Sequence, residues 1–228
     1  MPDPVFLITG ASSGIGAATA RRAAEPGYRL VLAARSKDKL DTLAEELGGP
    51  DRALAVQCDV TDLAQQEAAV AAALEHFGRV DVVWANAGFG AKRGFLEESA
   101  EHWRDMVLTN VLGVAFTIRA AIPALKETSG HLLLTSSVAG RRVIPGSLYS
   151  ATKHAVTAMA EAARQELNGT GIRVTSIEPG MVDTPFFEQT PDGALEPDDI
   201  ARAVMYAISQ PPHVDVNQVL IRPTAQPL

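Results

Sequence analysis

Residues 5–16 read Val5-Phe6-Leu7-Ile8-Thr9-Gly10-Ala11-Ser12-Ser13-Gly14-Ile15-Gly16. The first five form a mainly apolar run without polar alternation, as expected of a strand buried on both faces, and the run stops at a glycine. An Ala/Arg-rich stretch of helical character then continues to Glu25, where Pro26-Gly27 ends it. Strands and helices alternate along the rest of the chain. Further strands are expected at residues 29–34, 53–57, 80–84, 131–135, 173–177 and 219–221, and helices at 36–47, 63–77, 100–126, 149–167 and from 197. Ser36 is placed to cap the second helix, in which Leu40, Leu43 and Leu47 share a face before Gly48-Gly49. Pro123 is expected to kink the long helix near its end. Strands alternating with helices of this length imply right-handed crossovers and a parallel sheet covered on both faces. The expected fold is α/β, a doubly wound parallel sheet of about seven strands in a single domain over residues 1–228, with no linker, internal repeat or low-complexity segment.

Composition narrows the function. The chain is 46% hydrophobic and 21% charged with a formal net charge of -7, and its basic residues are scattered, which argues against nucleic acid as a partner. One cysteine, Cys58, excludes an internal disulfide framework, and His76, His102, His131, His154 and His213 show no metal-ligand spacing. No basic segment followed by a long apolar one opens the sequence, and no uninterrupted apolar run of membrane length is expected, so the expectation is a soluble cytoplasmic protein.

In a doubly wound sheet, ligands bind at the carboxyl ends of the strands where the winding reverses. Gly10, Gly14 and Gly16 fall there after the first strand, spaced Gly-x-x-x-Gly-x-Gly. Without a Cβ, such a turn lets the backbone approach a pyrophosphate, whose charge the helix N-terminus favours. Far downstream, Tyr149 and Lys153 stand four apart at the head of a predicted helix and so share one face. A free phenol ionises near pH ~10; a neighbouring ammonium favours the phenolate, and a shift of about three units is ~4 kcal/mol of differential stabilisation. Such a pair can exchange a proton with an alcohol or carbonyl.

Taken with "NAG" at Asn86-Ala87-Gly88, "NVLG" from Asn110, Ser136-Ser137 and Pro179-Gly180, these motifs occur in an order that resembles the short-chain dehydrogenase/reductase family over nearly the whole chain. The resemblance implies a Rossmann-type fold and hydride transfer between a nicotinamide and a carbonyl or secondary alcohol. It implies Tyr149 as acid/base, Lys153 lowering its pKa and holding the nicotinamide ribose, a serine holding the substrate oxygen, and Asn110 positioning a water that links Lys153 to solvent. It places Ser12, Ser13, Gly14, Ile15 and Gly16 on the phosphates, Asp59 and Val60 beside the adenine, and Asn86, Ala87 and Gly88 along the ribose. Pro179, Gly180, Val182 and Thr184 fall near the nicotinamide. The family commonly has a further asparagine before "NAG"; here it is Ala85, which leaves one structural hydrogen bond in question.

At the end of the second strand, where an acidic residue would grip a ribose 2'-hydroxyl, the chain has Ala34 followed by Arg35. A guanidinium suits a 2'-phosphate, so NADP(H) is expected over NAD(H), although no basic residue lies between Gly10 and Gly14. Counting back thirteen from Tyr149, the common family spacing, selects Ser136; anchoring on the following Val138-Ala139-Gly140 selects Ser137. A strand end shifts register less readily than a loop changes length, so Ser137 is preferred.

Residues 185–196 are a short candidate cover. Phe186 and Phe187 would close an apolar pocket with Phe89, Val143 and Ile144, and Lys92, Arg93, Arg141 and Arg142 lie in loops near its mouth, placed to attract an acid group. Residues 213–223 resemble the endings of small bacterial members, hydroxy-acid dehydrogenases among them. The family often forms dimers or tetramers through its two long helices, and Ala151, Ala155, Ala158 and Ala162 make a close-approach face on the second. A dinucleotide sensor without turnover is the alternative from another class, but Asn110, Tyr149 and Lys153 are all retained.

Overall fold

The computed structural model describes residues 3–187 and 189–226. The N-terminal pair and residue 188, inside the expected cover, lie outside the described residues. Seven parallel strands form one sheet in the order β3-β2-β1-β4-β5-β6-β7. They are β1 (Val5–Thr9), β2 (Arg29–Ala34), β3 (Ala53–Gln57), β4 (Val82–Ala85), β5 (His131–Thr135), β6 (Arg173–Pro179) and β7 (Gln218–Ile221).

Side chains alternate across the sheet with period two, and the strands β1 to β6 feed two cores while edge strand β7 packs on one face. Phe6, Ile8, Leu30, Leu32, Trp84 and Leu133 point to one face, covered by α1 (Gly14–Ala24), α2 (Lys37–Glu46) and α7 (Pro197–Ile208). Val5, Leu7, Val31, Val83, Leu132 and Leu134 point to the other, covered by α3 (Leu63–Phe77), α5 (Val114–Thr128) and α6 (Leu148–Glu166). Both faces being buried explains why the strands read as continuous apolar runs. Each fully buried Leu, Ile or Phe contributes roughly 1.5–3 kcal/mol relative to exposure. The winding reverses between β1 and β4, and a cleft opens at their carboxyl ends.

Several local expectations change. Ser36 makes no side-chain cap bond, whereas Asp62 caps α3 by accepting from Ala64 N at 2.9 Å. The expected 100–126 helix is α4 (Ala100–Val107), a π-helical turn (Leu108–Gly113) and α5 in succession; Pro123 sits inside α5 without ending it, and the irregular turn lies upstream. By length and composition alone the helical run Ala100–Thr128 would pass for a membrane span, with mean hydropathy 1.5 over its most apolar 18 residues, although charged residues such as Glu101, Arg104, Arg119 and Lys126 interrupt it. Its Val114, Ala121, Ala124 and Leu125 are instead spent on the core.

Candidate active site

The turn after β1 is shaped by close approach. Gly10 has φ 68°, and a Cβ there would stand 2.9 Å from Ala87 Cα; a Cβ on Gly16 would overlap the Gly10 carbonyl oxygen. Thr9 Oγ1 donates to Trp84 O at 3.1 Å and accepts from Asn86 N at 3.0 Å and Ala87 N at 3.2 Å. Asn86 Nδ2 donates to Thr9 O at 3.1 Å, and Asn86 Oδ1 accepts from Thr135 Oγ1 at 3.2 Å. These bonds tie β1, β4 and β5 together while Ala85 supplies only buried methyl. Ser13 stands at the N-cap of α1 without a side-chain cap bond, and the first turn of α1 holds no acidic residue. The helix N-terminus thus keeps its amides and a hydroxyl for an anion, and a cradle that any Cβ would fill fits a dinucleotide pyrophosphate.

A cleft of about 590 Å³ runs from this turn in both directions. Toward β2 and β3 it is lined by Ala34, Arg35, Ser36, Cys58, Asp59 and Val60. Arg35 is exposed and makes no ion pair with the described residues. Asp59 Oδ1 accepts from Thr61 N at 3.0 Å and Thr61 Oγ1 at 2.8 Å, fixing its carboxylate at the cleft edge. Burial, reinforced by Asp59 and Asp62, pushes the Cys58 thiol up to about 11, so it stays an unreactive packing group.

Toward β5 and β6 the floor is polar and desolvated. Lys153 is 4% exposed, and its Nζ donates to Thr135 O at 2.8 Å and lies 5.6 Å from the Tyr149 ring centroid. Burial lowers Lys153 to about 8. Burial also pushes the Tyr149 phenol up to about 12, opposed by a hydrogen bond with Ser137. The depression of Tyr149 expected from Lys153 is not seen: desolvation dominates, the opposing group is Ser137, and the Lys153 ammonium bonds the Thr135 main-chain carbonyl rather than the phenol. At neutral pH Tyr149 is held protonated.

The two serines part company. Ser136 Oγ donates to Lys153 O at 2.9 Å and, its proton so used, accepts from Thr157 Oγ1 at 2.7 Å, pinning α6 to the end of β5. Ser137 accepts from Ala139 N at 3.1 Å and has one proton for two claimants, Pro179 O at 3.3 Å and the Tyr149 phenol. The bond to Pro179 is long and weak, so the proton is available to the cleft. Asn110, 1% exposed in the π turn, does not line the cleft; its Oδ1 accepts from Phe89 N at 3.0 Å and its Nδ2 donates to Phe89 O at 2.8 Å and Thr152 Oγ1 at 3.3 Å. It fixes the chain immediately after Gly88.

Beyond Tyr149 the wall is apolar. Phe186 meets the Tyr149 ring edge-on at 5.5 Å between centroids and Phe187 at 5.0 Å, with Phe89 and Ile144 alongside. Val143 does not join them, being 76% exposed. Of the four expected basic residues only Arg93 lines the cleft. Arg141 is held in a two-pronged bond to buried Glu178 at 2.6 and 2.7 Å, while Lys92 and Arg142 face solvent. The other expected cofactor residues, Ser12, Gly14, Ile15, Gly88, Pro179, Gly180, Val182 and Thr184, all line the cleft. Thr109, Thr135, Met181 and Gln226 line it too, unforeseen: Thr109 arrives on the π-helical turn, Thr135 at the end of β5, Met181 just beyond β6 and Gln226 on the chain's tail. Among the described residues no group of His, Cys, Asp and Glu is clustered to hold a metal.

A family model described as short chain dehydrogenase matches residues 4–194. An uncharacterized oxidoreductase of Staphylococcus haemolyticus is 43% identical, over 96% of this chain and 96% of its own. Among solved structures, an alcohol dehydrogenase from the archaeon Thermococcus sibiricus, complexed with 5-hydroxy-NADP, is 38% identical with a TM-score of 0.92, covering 99% of this chain and 98% of that one. A 3-ketoacyl-(acyl-carrier-protein) reductase from Brucella melitensis, complexed with NADH, is 33% identical with a TM-score of 0.90, covering 98% of each. With its sheet order, glycine turn and matching relatives, the chain belongs to the short-chain dehydrogenase/reductase family, as an NAD(P)-dependent oxidoreductase acting on CH–OH groups of small molecules.

Proposed function

We propose that the protein is one catalytic domain that reduces a carbonyl compound with NADPH, Tyr149 giving the proton. The observation that carries the reading is Tyr149, Ser137 and Lys153 gathered on the desolvated floor of the cleft that begins at the glycine turn. The nicotinamide, when bound, supplies the hydride. Ser137 donates to the substrate oxygen in place of its weak bond to Pro179 O, and Tyr149, protonated at neutral pH, completes the alcohol. Lys153 keeps a positive charge beside the phenol and holds the ribose, and Asn110 keeps the Gly88-Phe89 backbone in place. In the family's water relay Asn110 would act from behind the cleft wall.

Arg35, exposed and unpaired among the described residues at the end of β2, supports NADP(H) over NAD(H). Arg93, exposed and lining the same cleft as the phenylalanines, favours a substrate with an apolar body and an acid group, a hydroxy-acid or keto-acid pair. We place the protein in the cytoplasm as a dimer or tetramer. Ala151, Ala158 and Ala162 are exposed on α6, and Val107 and Leu112, each 39% exposed, leave the α4–α5 run an apolar face for a second copy.

The test is to follow nicotinamide absorbance with NADPH, then NADH, over ketones, aldehydes and keto acids, with Tyr149→Phe as control. NADPH oxidation that disappears in the variant is the expected result. Tight NADPH binding with no turnover on any substrate would favour the sensor instead.

A further inference from the structure

The tail of the chain enters the site from a side that no motif covers. After β7 the backbone runs through Arg222 and Pro223 and turns back with Gln226 N donating to Pro223 O at 3.1 Å. This brings Gln226 into the cleft wall beside Pro179, Gly180, Met181 and Val182. There its Oε1 accepts the Met181 amide at 3.0 Å. The close approach explains a glycine: a Cβ on Gly180 would overlap Gln226 Oε1 and stand 3.1 Å from both Arg222 Cα and Pro223 Cδ. Gly180 N in turn donates to Ile221 O at 2.7 Å.

The Met181 peptide is gripped from both sides. Its N–H goes to Gln226, and its C=O accepts from Leu195 N at 2.9 Å. Asp183 N then donates back to Leu195 O at 2.8 Å, so residues 181 and 195 are the two feet of the excursion that carries Thr184, Phe186 and Phe187 over the cleft. The tail spans both feet, since Ala225 Cβ lies 3.7 Å from where a Cβ on Gly193 would stand. Of the hydrogen bonds at the first foot among the described residues, the Gln226 bond is the one made by a side chain, and so the one a substitution removes without moving the backbone.

We infer that Gln226 is a positioning residue: by accepting the Met181 amide it sets where Val182, Thr184 and Phe186 stand in the cleft wall, Phe186 against Tyr149. That it thereby seats the nicotinamide end of a dinucleotide rests on the function proposed above; that it latches the excursion does not.

The experiment compares wild type with Gln226→Ala and Gln226→Glu, the second keeping an oxygen for the Met181 amide. Hydrogen exchange is read over residues 181–187 in the protein alone, and NADPH affinity by fluorescence. Gln226→Ala is expected to speed exchange there and to weaken NADPH roughly 5–10-fold, the loss of about one hydrogen bond, with melting temperature nearly unchanged. Gln226→Glu is expected to restore both. Wild-type exchange in Gln226→Ala, or no recovery of exchange in Gln226→Glu, overturns the latch. Altered exchange in a protein that binds no dinucleotide would keep the latch and sink the functional reading.

Discussion

At the carboxyl ends of β1 and β2 the cleft wall is main chain and small side chains: Gly10, Gly14 and Gly16, with Ser12 and Ser13 as the polar groups and exposed Arg35 beyond. At the ends of β5 and β6 it is a set of buried polar side chains, Ser136, Ser137 and Lys153, each 7% exposed or less. On the function proposed above, the first region binds by geometry and tolerates changes that leave its backbone alone, and the second does the chemistry, its groups sitting at a desolvation cost that only specific partners offset. Substitutions should accordingly split into those that move cofactor affinity and those that move turnover or stability.

The largest expected effect is on the chemical side. Tyr149→Phe should lower kcat/KM by roughly 10²–10⁴-fold, the usual contribution of a positioned acid, while NADPH affinity measured by fluorescence stays within a few-fold. Equal loss of both would erase the distinction between the regions. Next, Ser137→Ala should cost roughly 10²-fold in kcat, as for one oxyanion donor. Its neighbour Ser136→Ala should leave turnover near wild type and lower the melting temperature by about 2–4 °C, the loss of about 1 kcal/mol. Reversed outcomes would exchange their roles.

On the binding side, Arg35→Ala should raise the NADPH KM by about tenfold and the NADH KM little, since a guanidinium–phosphate bond is charge-assisted but here exposed. Steady-state kinetics with both cofactors reads the ratio; an unchanged ratio would remove Arg35 from cofactor choice. One substitution on the chemical side should instead give a gain in stability. Lys153 is depressed by burial to about 8, so below that pH the folded protein carries a charge the unfolded chain holds more easily. Lys153→Met should therefore raise stability by on the order of 1–3 kcal/mol at pH 7, with the gain shrinking as pH rises through 8 toward 10.5, while turnover is lost. Denaturant titrations at two pH values measure it; a loss of stability at pH 7 would mean the Thr135 bond outweighs desolvation.

The same division governs what the sequence made readable. The strands and the glycine turn were legible because two-faced burial and close backbone approach leave local marks, such as the run Val5–Thr9 and the spacing of Gly10, Gly14 and Gly16. The ends of strands were less so. Asp81 falls outside β4 because its carboxylate accepts from Val5 N at 2.8 Å, and β6 runs on through Glu178 because Arg141 neutralises a buried carboxylate from 37 residues away. Spacing put Lys153 beside Tyr149, yet the sign of the phenol's shift depends on desolvation and on Thr135 O, which spacing does not report. Gln226 left no mark, since its partner is a main-chain amide 45 residues away.

The π turn at Leu108–Gly113 joins α4 to α5 in one helical run, and its wider hydrogen-bonded ring holds one residue more than an α-helical turn would. That surplus residue sets the rotational phase of everything before it. Deleting it would let the helix close into a regular ladder but turn α4 by about 100° about its axis. Met106, fully buried, would swing out of the core, and His102 would leave the Gly90 carbonyl it now meets at 2.8 Å. A single-residue deletion there is an error of reading frame in three dimensions, and no substitution within α4 would undo it.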